Sequence, residues 1–369
     1  MTKGPPFKSY IQDIRPYEPG KPVKELQREY GIRHVIKLAS NENPLGPSGK
    51  AIRAMRRAIR DVHLYPEGNC YYLLHRLARE LGVDPETLVF GNGSNEIIEL
   101  LGRGFLSEGD EALSSETACL VYPILTQVCG AKYRAAPMKD HRFDLPAILA
   151  AITPRTKIIF IANPNNPTGT YVTAKEVEDF LAKVPENVVV CFDEAYVDFV
   201  DAEDFPKILP IVTAGRKNVI LLRTFSKAYG LAGLRIGYGL ASKEMVTYLN
   251  KIRQPFNVNS LAQAAATAAL DDTFFRWRTK WLVVRGRQFF YRKLARLGLE
   301  YLPSQANFIL VNMKTDGKEV YNFLLRQGMI VRPMGAYKMP EWIRVTIGRR
   351  SQNVQLIRLL KAYLSQKAV

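Results

Sequence analysis

The sequence predicts an α/β protein in which a mostly parallel sheet covered by helices forms a large domain and a smaller α+β domain follows. Three observations carry this expectation. Between residues 87 and 240 short β-rich runs alternate with helix-like stretches. Those runs are continuously apolar and do not alternate, as is usual for strands covered on both faces. After residue 243 the texture changes to long helical patterns and then short strands, and 369 residues suit two cores better than one.

Taken in order, strands are expected at 88–90, 158–162, 188–192, 219–222 and 236–240, with helical patterns at 96–105 and 174–183 between them. Ahead of these, residues 51–60 place Ile52, Met55 and Ile59 on one side and four arginines on the other, the pattern of a surface helix. Beyond 243, helices are expected at 261–270 and 274–297, strands at 307–312, 329–332 and 343–347, and a closing helix at 351–364. The expected large domain is 46–250. The N-terminal arm, 1–45, joins 251–369 in the smaller part.

With 47% hydrophobic and 24% charged residues the composition is globular. The opening residues Met1–Pro6 lack the apolar stretch of a signal peptide and the apolar runs fall short of a membrane span, so a cytoplasmic protein without a membrane partner is expected. Four cysteines form no CxxC pair and four histidines are equally dispersed, so neither a disulfide framework nor a metal site is expected. The net charge of +17 is concentrated in residues 251–369, where 21 Lys and Arg face 6 Asp and Glu. Spread over helical periods, this excess reads as a solvated surface that also attracts anionic small molecules, with no nucleic acid as partner.

The residues that carry chemistry fall at the ends of expected strands, where an open α/β sheet places its ligands. Asn163-Pro-Asn-Asn-Pro-Thr-Gly169 follows the run ending at Ala162, Asp193-Glu-Ala-Tyr196 the run ending at Phe192, and Ser226-Lys227 the run through Leu222; Arg235 comes eight residues after the lysine. Singly each is ordinary, since strand-end aspartates cap helices and Asn-Pro runs make turns. Together they meet the needs of a pyridinium cofactor. Lys227 can form an imine with its aldehyde, and Asp193 can keep the ring nitrogen protonated. A phosphate needs N–H groups at a helix N-terminus, which Gly91-Asn-Gly-Ser-Asn-Glu96 offers, with Thr224, Ser226 and Arg235 beside them. The amide of Asn166 and the phenol of Tyr196 suit the ring oxygen. A dinucleotide-binding reading of Gly91-Asn-Gly93 fails because the third glycine position holds Glu96.

In this order and spacing the sequence resembles the fold type I aminotransferases that use pyridoxal 5′-phosphate (PLP), and within them the histidinol-phosphate aminotransferase group. The resemblance runs from Arg15-Pro-Tyr17 and Leu38-Ala-Ser-Asn-Glu-Asn-Pro-Leu-Gly46 through Tyr65-Pro-Glu67 and Thr224-Phe-Ser-Lys-Ala-Tyr-Gly-Leu-Ala-Gly-Leu-Arg235 to Ile343-Arg-Val-Thr-Ile-Gly348. It implies a seven-stranded, mostly parallel sheet in the large domain, PLP as cofactor, and ping-pong transamination of L-histidinol phosphate with 2-oxoglutarate in histidine biosynthesis. By position it implies Lys227 as Schiff-base lysine and proton carrier, Asp193 at the pyridine nitrogen, Asn166 and Tyr196 at the ring oxygen, and Ser94, Asn95, Ser226 and Arg235 around the phosphate. Tyr65 is implied to reach the cofactor phosphate of a neighbouring subunit, which makes a homodimer with shared active sites. Arg344, Arg332 and Tyr17 match the group's positions for the substrate's oxyanion. Aromatic or other amino-acid aminotransferases and threonine-phosphate decarboxylases share this scaffold and its arginines.

Two places depart from the group's pattern. Position 119, an aromatic residue stacked on the cofactor ring in the group, is Cys119; either Tyr122 takes that place or the ring is held differently. Gly348-Arg-Arg-Ser-Gln-Asn353 stands where an acidic stretch is expected.

Overall fold

The structure is a computed structural model that describes residues 6–17 and 19–367; Met1–Pro5, most of the opening run discussed above, lies outside them. The continuous apolar runs become the centre of a seven-stranded sheet. Its strands are β1 (Leu88–Gly91), β2 (Glu111–Ser115), β3 (Lys132–Ala136), β4 (Thr156–Ala162), β5 (Val189–Asp193), β6 (Val219–Thr224) and β7 (Gly237–Leu240), in the order β1-β7-β6-β5-β4-β2-β3. Every neighbouring pair is parallel except those of β7, which runs antiparallel to both β1 and β6. The mostly parallel seven-stranded sheet of an α/β protein is therefore present.

Two of its strands carry no apolar run. β3 is an edge strand with a mixed, half-exposed pattern, Lys-Tyr-Arg-Ala-Ala. β2 is buried along its length yet holds Glu111, Ser114 and Ser115. Its polar groups are satisfied inside the sheet: Ser114 donates to the Phe160 carbonyl, and Glu111 accepts from Thr153 and Arg155. Local hydrophobicity cannot reveal a strand whose polar atoms find partners only after folding.

The crossovers bring the ends of β4, β5 and β6 to one edge of the sheet, with Ala162 beside Asp193 and Asp193 beside Leu222. A second, antiparallel sheet is built from β8 (Glu300–Leu302), β9 (Phe308–Asn312), β10 (Arg332–Pro333) and β11 (Trp342–Thr346), in the order β8-β9-β11-β10. The single strand expected at 329–332 is in fact split. Met329–Ile330 pairs with Ile36–Lys37 of the N-terminal arm, and only Arg332–Pro333 joins the second sheet.

The helices that position the site are α1 (Gly49–Ala58), α2 (Ser94–Phe105), α3 (Val121–Val128), α4 (Ser260–Leu270), α5 (Thr273–Arg296) and α6 (Arg350–Lys367). The Ser48 hydroxyl caps α1, whose pattern continues into a short 3-10 turn at Ile59–Asp61. Midway along α5 the buried Arg287 donates to the carbonyls of Ser304 and Phe199 and pairs with Asp201. It thereby fastens the turn after β5 to the loop ahead of β9. No helix among the described residues is long and apolar enough to cross a membrane. Replacing Arg287 by Met removes a donor from two carbonyls, of which Ser304 keeps another in the Tyr291 hydroxyl, and breaks the pair with Asp201, so a loss of about 2–3 kcal/mol is expected. Thermal unfolding of the holoenzyme tests this, and an unmoved midpoint would show that the tie bears no load.

Candidate active site

A cavity of about 720 Å³ opens at the edge where β4, β5 and β6 end, and twelve of the thirteen residues singled out from the sequence line it. Tyr65 is the thirteenth. It lies outside this cavity, 83% exposed and stacked on Phe256.

At one end the first turn of α2 presents Ser94 and Asn95 to the cavity. Gly93, just ahead of it, has φ +79, and a Cβ there would fall 2.2 Å from the guanidinium of Arg235. Only glycine lets that cation lie against the helix N-terminus. Arg235 donates to the hydroxyl of Ser226 at 3.3 Å, and the Ser226 N–H donates to Thr224 Oγ1 at 3.1 Å. Helix N–H groups, two hydroxyls and a guanidinium thus converge, the chemistry of a phosphate cradle.

In the middle lie Asp193 and Lys227. Burial pushes the Asp193 carboxyl up from its ordinary range, while the Tyr122 phenol, the Ala195 N–H and the Lys227 charge draw it back toward the anion. Tyr122 donates to Oδ2 at 2.9 Å and the Ala195 N–H to Oδ1 at 3.2 Å. Lys227 donates to the Ser40 carbonyl at 3.3 Å, with its Nζ 5.7 Å from the centre of the Tyr196 ring. Burial first, then the charges of Arg344 and Arg235, pull its ammonium down to about 8.

The two donors expected for a ring oxygen are oriented by their neighbours. Asn166 accepts from Arg344 through Oδ1, so its NH₂ faces the other way. Tyr196 accepts from the Asn41 amide at 3.0 Å and keeps its own proton to donate. Burial drives that phenol up to about 12, and it stays protonated at neutral pH.

Arg344 comes from β11 and is buried. One Nη donates to Asn166 and the other to the Ala39 carbonyl; its buried Nε has no partner among the described residues. Arg332 lies 5.8 Å over the ring of Tyr17, and both line the same cavity.

Cys119, and not Tyr122, faces the cavity. Tyr122 is fully buried behind Asp193 and stacked on Phe160 at 4.7 Å, so the alternative in which it packs on a cofactor ring is ruled out. Burial and the nearby Asp193 push Cys119 up to about 11, which leaves a protonated thiol as a small, soft surface. Sequence reasoning missed Asn41 and Tyr337, both of which line the cavity. Asn41 had one usable sign: asparagine tolerates the left-handed backbone it adopts, φ 56. Nothing in the sequence marks Tyr337.

An amine held partly neutral, a buried carboxylate, a phosphate cradle and an unpaired guanidinium nitrogen suit PLP and an anionic substrate. The fold and this donor set define a PLP-dependent aminotransferase. Comparison with known proteins agrees: the family described as aminotransferase class I and II matches residues 33–360. A histidinol-phosphate aminotransferase of Moorella thermoacetica is 48% identical over 98% of this chain and 94% of its own. One from Methylobacillus flagellatus is 48% identical over 97% of each chain. The crystal structure of histidinol-phosphate aminotransferase from Sinorhizobium meliloti in complex with PLP superposes with a TM-score of 0.90 at 28% identity, covering 98% of this chain and 99% of that one. The chain belongs to the class I and II aminotransferase family, in its histidinol-phosphate aminotransferase branch.

In Tyr122→Phe the carboxyl of Asp193 loses a donor and climbs further. PLP should then be lost faster on dialysis, and the acid limb of the pH–rate profile should move up by about one unit; unchanged retention with an unshifted limb would show that the phenol is idle. The neutral fraction of Lys227 grows as pH rises through its pKa. Aldehyde capture at Lys227 in cofactor-free protein should therefore accelerate through pH about 8, and Arg344→Ala should shift that midpoint upward. A midpoint at the ordinary lysine value of 10.5 would contradict the depression.

Proposed function

We propose that this enzyme transfers the amino group of L-histidinol phosphate to 2-oxoglutarate, giving imidazole acetol phosphate and L-glutamate, a step of histidine biosynthesis. The observation that carries the reading is the pair Arg332 and Arg344, with Tyr17, lining the same cavity as Lys227 and the phosphate cradle, with the Arg344 charge acting on the Lys227 amine. Both substrates carry an oxyanion, a phosphate ester in one and a carboxylate in the other, and must use one site in turn. Guanidinium forks accept a phosphate ester or a carboxylate equally well. The names of the near-full-length relatives support the same donor.

When bound, PLP supplies a carbonyl that takes up the amino group and a ring that withdraws electrons from the substrate carbon. The protein's part is to hold and to move protons. Asp193 keeps a proton on the ring nitrogen. Asn166 and Tyr196 donate to the ring oxygen, and Ser94, Asn95, Thr224, Ser226 and Arg235 hold the phosphate. Lys227 would anchor the cofactor and, as a free amine, would take the proton from the substrate's Cα as base and deliver it to the cofactor's C4′ carbon as acid. With a pKa near 8, about a tenth of its amines are neutral at pH 7.

The same reading makes the enzyme a cytoplasmic homodimer in which Tyr65 reaches the neighbouring subunit's cofactor phosphate. Tyr65, Tyr72 and Phe256 are exposed aromatic side chains, which supports burial against a partner. It also divides the chain into a cofactor-binding domain, 46–250, and a smaller part made from 1–45 and 251–369.

Adding L-histidinol phosphate to the yellow holoenzyme should bleach its visible band, and 2-oxoglutarate should restore it. A band bleached only by aromatic amino acids would overturn the donor, and a protein that stays colourless with PLP would overturn the class. Lys227→Ala should abolish turnover. Arg344→Ala should lower kcat/KM for both substrates by about 10²–10³-fold, and loss for only one would deny the shared anion site.

A further inference from the structure

Helices α5 and α6 pack against each other and hold twelve Lys and Arg without a single Asp or Glu. Most of the charge excess of the last third lies here. Surface helices ordinarily interleave acids and bases so that neighbours three or four residues apart attract. Here Arg292 and Arg296 repel instead. Arg349 and Arg350, at the start of α6, stand where a helix usually gathers acids. Arg285, Arg292 and Arg350 have no carboxylate partner among the described residues.

These arginines surround a groove of about 600 Å³ between α5 and residues 348–353, well apart in sequence and lining from the catalytic cavity, and no carboxylate lines it. Its size is within the roughly 300–1,000 Å³ usual for ligand sites. The groove is built by a close approach. A Cβ on Gly286, inside α5, would fall 2.3 Å from Ile347 Cγ2, so only glycine lets the helix settle onto the end of β11. Trp281 and Phe289 supply an aromatic floor. Trp281 is 44% exposed, the guanidinium of Arg285 lies 5.7 Å over its ring, and Trp277 and Phe274 continue the aromatic stripe along the helix. Exposed indoles beside unpaired guanidinium groups offer stacking and charge together.

We propose that this groove binds a small organic phosphate with a planar aromatic body, of the mononucleotide type, at a site separate from the catalytic cavity. The arginines take the phosphate as bidentate donors and Trp281 takes the ring. The concave, ligand-sized shape favours a small molecule over a polymer. Because no group of the catalytic cavity is involved, the proposal stands independently of the amino donor.

The probe is AMP, titrated calorimetrically into the PLP-loaded enzyme. One equivalent per chain should bind. The triple variant Arg285→Ala, Arg292→Ala, Arg350→Ala should weaken it at least about tenfold while leaving kcat unchanged. Trp281→Ala should weaken AMP but not pyrophosphate, which separates the ring contact from the charge contact and guards against a variant that misfolds. Failure of the wild type to bind AMP overturns the proposal. So does binding that survives the triple variant, which would place AMP in the catalytic cavity. Inorganic phosphate binding as tightly as AMP would reduce the site to a bare anion patch. Retention of an oligonucleotide with no affinity for AMP would assign the surface to nucleic acid instead.

Discussion

Asp193 is buried at the end of a central strand, where an isolated carboxylate would take up a proton, and yet the cationic ring proposed beside it would need an anion; the residues around it are arranged to favour that anion. Tyr122 and the Ala195 N–H donate to its two oxygens. Tyr122 can do so only because it is itself immobile, stacked on Phe160 and buried within α3. Lys227 meets the opposite demand. Burial and two nearby arginines lower its pKa to about 8, so that a fraction of it is a neutral amine. The carboxylate and the amine therefore owe their states to burial in the same cavity and to the different neighbours that surround each.

The second constraint is closure of that cavity from the far side. β11 and the arm around residues 39–41 complete it, and they are joined by a buried polar cluster. Asn41 bonds Thr346 and Tyr196, and Asn307 donates to the Asn41 carbonyl. Arg344 reaches the Asn166 side chain in the turn after β4 and the Ala39 carbonyl in the arm. Arg344, proposed to face the substrate, is consequently hydrogen-bonded to Asn166, proposed to donate to the cofactor ring. On that proposal anion recognition and ring chemistry share one network, in which each polar group limits the rotamers of the next.

Charge is used twice in the molecule with different neighbours. In the catalytic cavity Arg344 is buried and directed by an amide and a carbonyl, while the more exposed Arg235 is directed by a hydroxyl and a carbonyl. On α5 and α6 the basic side chains other than Arg287 are mostly exposed, the helices themselves carry no acid, and Arg285, Arg292 and Arg350 have no carboxylate partner among the described residues. A long basic helix would gain from acidic residues at its own spacing, and their absence beside exposed indoles is the feature that a solvated surface does not account for.

Much of the fold and most of the site were legible in the sequence, because they depend on local properties. Unbroken apolar runs announce β4, β5 and β6, and the residues that follow each run arrive at one sheet edge by topology alone; Lys227, Asp193, Asn166, Tyr196 and Arg235 could be named from their spacing. What depends on partners distant in the chain could not be read. β2 and β3 hide because their polar groups are satisfied by other strands or face solvent. The strand expected at 329–332 divides because the N-terminal arm supplies a second partner. Tyr122 lies behind Asp193, leaving Cys119 against the cavity, and this follows from how α3 packs on the sheet. Asn41 acquires its place from contacts some 150 and 300 residues away. Sequence determined which groups this protein possesses and the sheet that gathers them; tertiary structure alone decided their protonation, their orientation and their neighbours, since burial and long-range hydrogen bonds exist only once the chain has folded.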